Sequence, residues 1–244
     1  MSLVAWPSKK ARGGHVFLTS GAALDQVTDL SAGGSHSCAI RLGVPLCWGD
    51  NTADRLGRGS SPAGPVDRAG PVRESNADMT KVNRVRAGRE FSCAINNDSK
   101  VYCWGNNSAG MLGVNTTTAT ESQAKLVRYL LGAFNMYIDI GRELSVGARH
   151  ACTVTATGTM FCWGDNAAWQ LGNGGLANQK TASVVGNGMG SQDGARGVAA
   201  GVSHTCATLA SGGNVCFGDD SASESTAGPP TGVVPFAQPI RHLP

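Results

Sequence analysis

Charge is scarce in this chain. Only 15% of its residues are Asp, Glu, Lys or Arg, against roughly 25% in ordinary domains, and the net charge is +3. So small an excess does not make a nucleic-acid binder. The cluster Lys9, Lys10 and Arg12 offers few phosphate contacts, which give little affinity at physiological salt; it reads as a solvated tail. Aromatic residues stand at 6%. No apolar run approaches the roughly 18 residues of a membrane-spanning helix. VFLTSGAAL follows the basic residues but is broken by Thr19, Ser20 and Gly21, so no secretory leader is evident, and a basic lead with a first β-strand is expected over 1–23.

The short signatures of chemistry are missing too. There is no nucleophile-elbow G-x-S-x-G, no phosphate-cradling G-x-x-x-x-G-K-[ST], and no dense acidic run of a calcium loop. No Cys-x-x-Cys occurs, which argues against zinc knuckles and thioredoxin-like redox sites. The chain reads as a non-enzyme without catalytic residues, metal site or cofactor.

What is abundant is glycine, 34 of 244 residues, about twice average usage, and the chain repeats itself. Cys38 and Cys47, Cys93 and Cys103, Cys152 and Cys162, and Cys206 and Cys216 form four local pairs. An aromatic and a glycine follow each second cysteine: Trp48-Gly49, Trp104-Gly105, Trp163-Gly164 and Phe217-Gly218. Five residues before each first cysteine stands a glycine: Gly33, Gly88, Gly147 and Gly201. Eight before it stands an aliphatic: Leu30, Val85, Leu144 and Val198. The first cysteines are 55, 59 and 54 residues apart, the period of stacked supersecondary units.

A hairpin explains each cysteine pair. If Cys93 faces Cys103, Asn97-Asp98-Ser99 is a three-residue loop; if Cys38 faces Cys47, Leu42-Gly43 is a two-residue loop. Both are common hairpin connections. Opposed residues of an antiparallel pair lie within disulfide reach, so cross-strand disulfides are expected, with free buried thiols in a reducing compartment as the alternative. If bridged, the cysteines imply an extracellular, cell-surface or periplasmic location.

Each repeat carries about four short strands. In the third, Leu144–Val146, His150–Val154, Met160–Trp163 and TASVV at 181–185 are separated by turn residues. KLVRYLL at 125–131 and GVVPFAQPI at 232–240 read as similar strands, and HVFLTS at 15–20 as another copy. Four antiparallel strands per roughly 55 residues match a β-propeller blade. The fold expected is all-β, a propeller of four-stranded blades in a partial or small ring. The repeats span about 27–81, 82–140, 141–194 and 195–227 within 24–227, followed by a strand and tail over 228–244.

The pattern G-x-x-H-x-C-A, then C-W-G-x-N, then L-G resembles the repeat of the regulator of chromosome condensation family, in the cysteine-containing version of secreted or surface propellers. It stands at Gly33–Ala39 with Cys47–Asn51 and Leu56-Gly57, at Gly88–Ala94 with Cys103–Asn107 and Leu112-Gly113, and from Gly147 to Gly172. The fourth copy, Gly201–Ala207 with Cys216–Asp220, lacks the Trp and the Leu-Gly. Family members usually carry about seven repeats, so this chain is expected to be part of a larger propeller or a smaller ring. His36, His150 and His204 share one repeat position, held by Phe91 in the second. They are expected to pin their own blades through a ring N–H, the sharper alternative being a metal site near the axis.

The resemblance implies a binding scaffold that presents inter-blade loops to a protein, or alternatively a carbohydrate, partner. The candidate loops are 58–80, 114–124, 173–180 and 186–194. An alternative is guanine nucleotide exchange on a Ran-type small GTPase, against which disulfides argue. A second is an enzyme-inhibitor propeller, and a receptor ectodomain is a weaker match.

Overall fold

A computed structural model describes residues 14–59, 62–131, 134–138, 141–186, 194–221 and 232–239. The basic residues Lys9, Lys10 and Arg12 lie outside the described residues, as do 187–193 of the last candidate loop and 222–231 and 240–244 near the end.

The described residues form four β-blades. Strand β1 (Phe17–Leu18) precedes the first blade, β2 (Val27–Ala32), β3 (His36–Arg41), β4 (Val44–Asp50) and β5 (Pro65–Pro71). A small hairpin follows, β6 (Arg73–Glu74) and β7 (Ala77–Asp78). The second blade is β8 (Val82–Ala87), β9 (Phe91–Asn96), β10 (Val101–Asn106) and β11 (Thr120–Leu126). A second hairpin, β12 (Arg128–Leu131) and β13 (Phe134–Tyr137), leads to the third blade, β14 (Gly141–Val146), β15 (His150–Thr155), β16 (Met160–Gly164) and β17 (Gln179–Val184). The fourth is β18 (Ala195–Ala200), β19 (His204–Leu209), β20 (Asn214–Asp220) and β21 (Gly232–Pro239). Each blade is an antiparallel meander.

The cysteine hairpins have the expected register. Cys38 is opposite Cys47 and Arg41 opposite Val44. Leu42 and Gly43 take φ of 51° and 76°, the left-handed pair that a two-residue turn requires. Cys93 is opposite Cys103, and the Asn96 N–H donates to the Lys100 carbonyl across the three-residue loop.

Two expectations are corrected. HVFLTS is not a further antiparallel copy: β1 lies parallel to β5 on the outer edge of the first blade. KLVRYLL is not one strand: its first residues end β11, and β12 crosses to pair in parallel with β17, Tyr129 opposite Ala182. Both pieces cover the edge of an outer strand, where unpaired N–H and C=O groups would otherwise invite another chain.

The hydrophobic core lies between blades. Cys38, Ile40, Cys47 and Leu56 of the first blade pack with Val85, Tyr102 and Trp104 of the second. Cys93, Cys103 and Leu112 pack with Leu144 and Trp163 of the third, and Cys152, Cys162 and Leu171 with Ala207 and Phe217 of the fourth. Strands touch in chain order, first to second to third to fourth, and among the described residues no strand of the first blade packs broadly on one of the fourth. The blades therefore form an arc in which each sheet supplies half of two cores, the nearest-neighbour construction of repeat proteins.

Candidate functional site

The repeat residues are joints between blades. Gly33, Gly88 and Gly147 stand at the inner ends of their blades, each against the carbonyl of the next blade's equivalent glycine. A Cβ on Gly88 would lie 2.6 Å from the Gly147 carbonyl oxygen and 2.6 Å from Val146 Cγ1. Only a residue without a side chain permits this approach. The Gly34 N–H donates to the Gly88 carbonyl at 3.0 Å, and the Ala148 N–H to that of Gly201 at 3.2 Å.

The second joint is aromatic. Trp104 is fully buried, its indole N–H donating to the Arg55 carbonyl of the preceding blade at 3.1 Å and its ring lying on Gly57. Trp163 repeats this with the Met111 carbonyl at 2.9 Å and Gly113, and Phe217 lies on Gly172. Among the described residues no blade precedes Trp48, which is only half-buried. The Leu-Gly loops are held by asparagines that sequence reasoning quoted without a role. The side-chain oxygens of Asn51, Asn107 and Asn166 accept the N–H of Leu56, Leu112 and Leu171 at 3.2, 3.2 and 3.0 Å. The recurring five-residue spacing was the signal that could have assigned them.

The histidines correct an expectation, for they reach the next blade rather than their own. His36 Nε2 lies 2.7 Å from Ser92 Oγ, and His150 Nε2 lies 2.8 Å from Thr205 Oγ1. Thr205 donates its hydroxyl proton to the Gln170 carbonyl, so His150 Nε2 carries the ring proton and Nδ1 is bare. Among the described residues the buried Nδ1 atoms of both rings have no hydrogen-bond partner. Phe91 stands where the next blade offers Ala151 instead of a hydroxyl, so the pairings are His with Ser or Thr, and Phe with Ala. Among the described residues no three His, Cys, Asp or Glu side chains converge on a metal position.

Burial, with Arg55 adding to it, lowers the His36 pKa to about 4, against the pull of Asp50. Burial likewise lowers that of His150 to about 4, with Asp165 opposing and His204 adding. Both rings are neutral in the folded chain, while the unfolded chain binds a proton on each below about pH 6.5. Their contribution is fully present above that pH and is lost as pH falls toward 4, at most about 3 kcal/mol per ring. Urea midpoints should fall over this window, and His36→Phe should remove part of the fall. That single change leaves the Ser92 hydroxyl with only the Cys38 sulfur, 3.7 Å away, and costs about 1–3 kcal/mol. Adding Ser92→Ala should recover most of the loss, as the Phe91–Ala151 pairing does naturally; a double variant no better than the single refutes the pairing.

The sulfur atoms of the four cysteine pairs lie at bonding distance, 2.11, 2.06, 2.14 and 2.02 Å, with each pair's Cα atoms 4.1 Å apart. The remaining repeat residues, Gly49, Gly105, Gly164 and Gly218, all have φ above 100° and lie against the backbone that begins the neighbouring strand.

Candidate loops 58–80, 114–124 and 173–180 contain strand residues. Loop 58–80 contains β5 and the β6–β7 hairpin, whose tip is tied to the second blade by Gln123 Nε2 donating to Asn76 Oδ1 at 2.7 Å. Between this hairpin and β12–β13 lies a groove of about 400 Å³, lined by Glu74, Ser75, Glu121, Lys125, Arg128 and Tyr137 among others. Arg128 stacks 4.8 Å from the Tyr137 ring centroid and donates to its hydroxyl at 3.0 Å. Leu130 and Tyr137, on the face of the β12–β13 hairpin that carries Arg128, are 55% and 42% exposed, and large exposed apolar side chains beside polar ones mark interaction surfaces. Tyr129 on the same strand packs on Phe161, 5.3 Å between ring centroids, which anchors the hairpin to the third blade.

Four-stranded blades joined by glycine, aromatic and polar contacts define a β-propeller repeat protein. Residues 82–110 and 142–168 match the model of the regulator of chromosome condensation (RCC1) repeat, and the chain carries repeats of this family. Human probable E3 ubiquitin-protein ligase HERC6 is 31% identical over 147 residues, 59% of this chain and 14% of that protein. The structure of human WBSCR16 matches with a TM-score of 0.72 and 20% identity, covering 89% of this chain and 56% of that one. Prp20p of Saccharomyces cerevisiae, whose structure was described with its binding to Gsp1p and histones, matches with a TM-score of 0.71 and 17% identity, covering 93% and 56%. The chain thus spans a small part of its curated relative and about half of these solved propellers; at such identities the solved structures show the shared fold.

Proposed function

We propose that the chain is a non-enzymatic propeller scaffold that binds a protein partner in the groove between the β6–β7 and β12–β13 hairpins. The observation that supports this is the exposed Leu130 and Tyr137 beside a groove of mixed charge. Tyr137 and Arg128 belong to residue types enriched at binding hot spots. The groove carries Glu74 and Glu121 together with Lys125 and Arg128, which suits a polypeptide with charges of both signs rather than a nucleic acid. The cysteine pairs favour an oxidising compartment, and with it an extracellular, cell-surface or periplasmic partner.

A photoreactive phenylalanine in place of Tyr137 tests the site in the chain's native setting. A discrete crosslinked protein is expected, lost on Arg128→Glu and not obtained from the same group at Leu42, which is 67% exposed outside the groove. Identical products from both positions remove the groove from consideration. The exchange-factor alternative draws on the binding of Prp20p to Gsp1p. It requires faster release of fluorescent GDP from a Ran-type GTPase, and the scaffold reading expects unchanged release.

A further inference from the structure

The outer edge of the second blade is finished differently from those of the first and third. β1 lies parallel to β5 with Leu18 opposite Ala69, and β12 lies parallel to β17 with Tyr129 opposite Ala182. The repeat register gives Ala124 of β11 the same place, since Lys125 is opposite Cys103 as Ser183 is opposite Cys162 and Gly70 opposite Cys47. All three alanines are buried. Ala124, however, meets no added strand among the described residues, and β11 ends its sheet.

The second and third edges match up to one point. The Gly59 N–H donates to the Ser122 carbonyl at 2.8 Å, as the Asn115 N–H does to that of Lys180. Beyond it the third blade takes on β12. The counterpart of β12 at the second blade is β6, for the Arg73 N–H donates to the Gly57 carbonyl as the Arg128 N–H does to that of Gly113. Yet β6 pairs only with β7, and a side chain ties the hairpin to β11: Gln123 Oε1 accepts the Asn76 N–H at 3.0 Å and Gln123 Nε2 donates to Asn76 Oδ1. Glu74 of β6 holds the place of Tyr129 in β12. A carboxylate resists burial beside an alanine, and Glu74 bonds the Tyr102 hydroxyl instead. The groove lined by Glu74, Ala124, Lys125 and Leu126 lies where the other two blades carry a paired strand.

We propose that this groove takes an extended segment of the partner protein as a strand added to β11, running parallel to it as β1 and β12 run to β5 and β17. The proposal rests on the scaffold function assigned to the groove and specifies how the partner is recognised. Main-chain hydrogen bonds along a free sheet edge supply affinity, and side chains beside it select the sequence. Glu121 lies near the start of β11 and the exposed Lys125 near its end, with Arg128 beyond. A parallel segment complementary to them carries a basic residue first and an acidic one after it.

Displayed random dodecapeptides, selected on the oxidised protein, test this. Enriched peptides should carry the basic residue before the acidic one, and selection on Lys125→Glu should replace the acidic residue by a basic one. N-methylation of alternate backbone amides should weaken binding about tenfold, the fold-change of one or two lost hydrogen bonds, and methylation of the residues between them should not. Glu74→Tyr gives β6 the residue of β12; it should pair β6 with β11 and abolish peptide binding, with a urea midpoint equal to or above that of the unaltered chain. Peptides that bind Glu74→Tyr undiminished overturn the proposal, as does a selection that enriches none. Peptides lost on Arg128→Glu yet indifferent to N-methylation at every position overturn strand addition and leave the groove as the binding site. Peptides indifferent to Arg128→Glu as well remove the groove, and both readings with it.

Discussion

Trp104→Ala is expected to lower stability by about 3–5 kcal/mol, the range for deleting a fully buried large aromatic. The ring fills the joint between the first two blades, lying on Gly57 with its N–H on the Arg55 carbonyl. Its loss empties that space and leaves a buried carbonyl unpaired. Trp163→Ala should cost as much at the next joint, where the ring meets Gly113 and the Met111 carbonyl. Trp48→Ala is the control. The residue has the same repeat position and the same flanking Cys and Gly, but its ring is half-buried at the end of the arc. In dilute solution it should cost about 1–2 kcal/mol, the burial energy of a partly covered side chain. Equal losses at all three positions would mean that the tryptophans stabilise their own hairpins rather than the joints. Urea unfolding followed by far-UV circular dichroism reads the difference. Because stability in a repeat array is a sum of unit and neighbour terms, the Trp104 and Trp163 variants should also broaden the transition.

Reduction of the disulfides should have the largest combined effect. Each closes a short loop, with sequence separations of 9 or 10 residues, and constrains the unfolded chain by about 2–3 kcal/mol. Four such constraints together rival the ~5–15 kcal/mol total stability of an ordinary domain. The reduced protein should therefore unfold at a far lower urea concentration than the oxidised one, or fail to fold at 37 °C. Cys93→Ser with Cys103→Ser, in the fully buried hairpin of the second blade, should cost more than Cys206→Ser with Cys216→Ser, where Cys206 is only half-buried on the open face. A reduced chain as stable as the oxidised one would show that the sulfurs serve as core atoms alone, and would remove the reason to place the protein in an oxidising compartment.

Much of the fold was legible because its rules are local. Hairpin register follows from the number of residues between paired cysteines, and strand count from turn residues at a regular spacing. The histidines show where legibility stopped. Their recurrence marked them as structural, yet the hydroxyl that each one meets lies 56 residues away for His36 and 55 for His150. A pairing of that range becomes visible only when the blades are placed side by side. The groove is a similar case: Glu74 and Tyr137 belong to separate hairpins and meet only because both lie on the rim of the arc.

The sequence by itself determined the repeat, the four-stranded unit, the cysteine pairing register and the glycine positions, since each depends on turn chemistry and spacing within about ten residues. Tertiary structure alone decided which blade His36, His150, Trp104 and Trp163 reach, and that β1 and β12 add in parallel to outer edges. Those outcomes depend on the rotation from one blade to the next. That rotation is set by close packing across the joints, where a glycine of one blade touches the carbonyl of another, and no single repeat contains both sides of that contact.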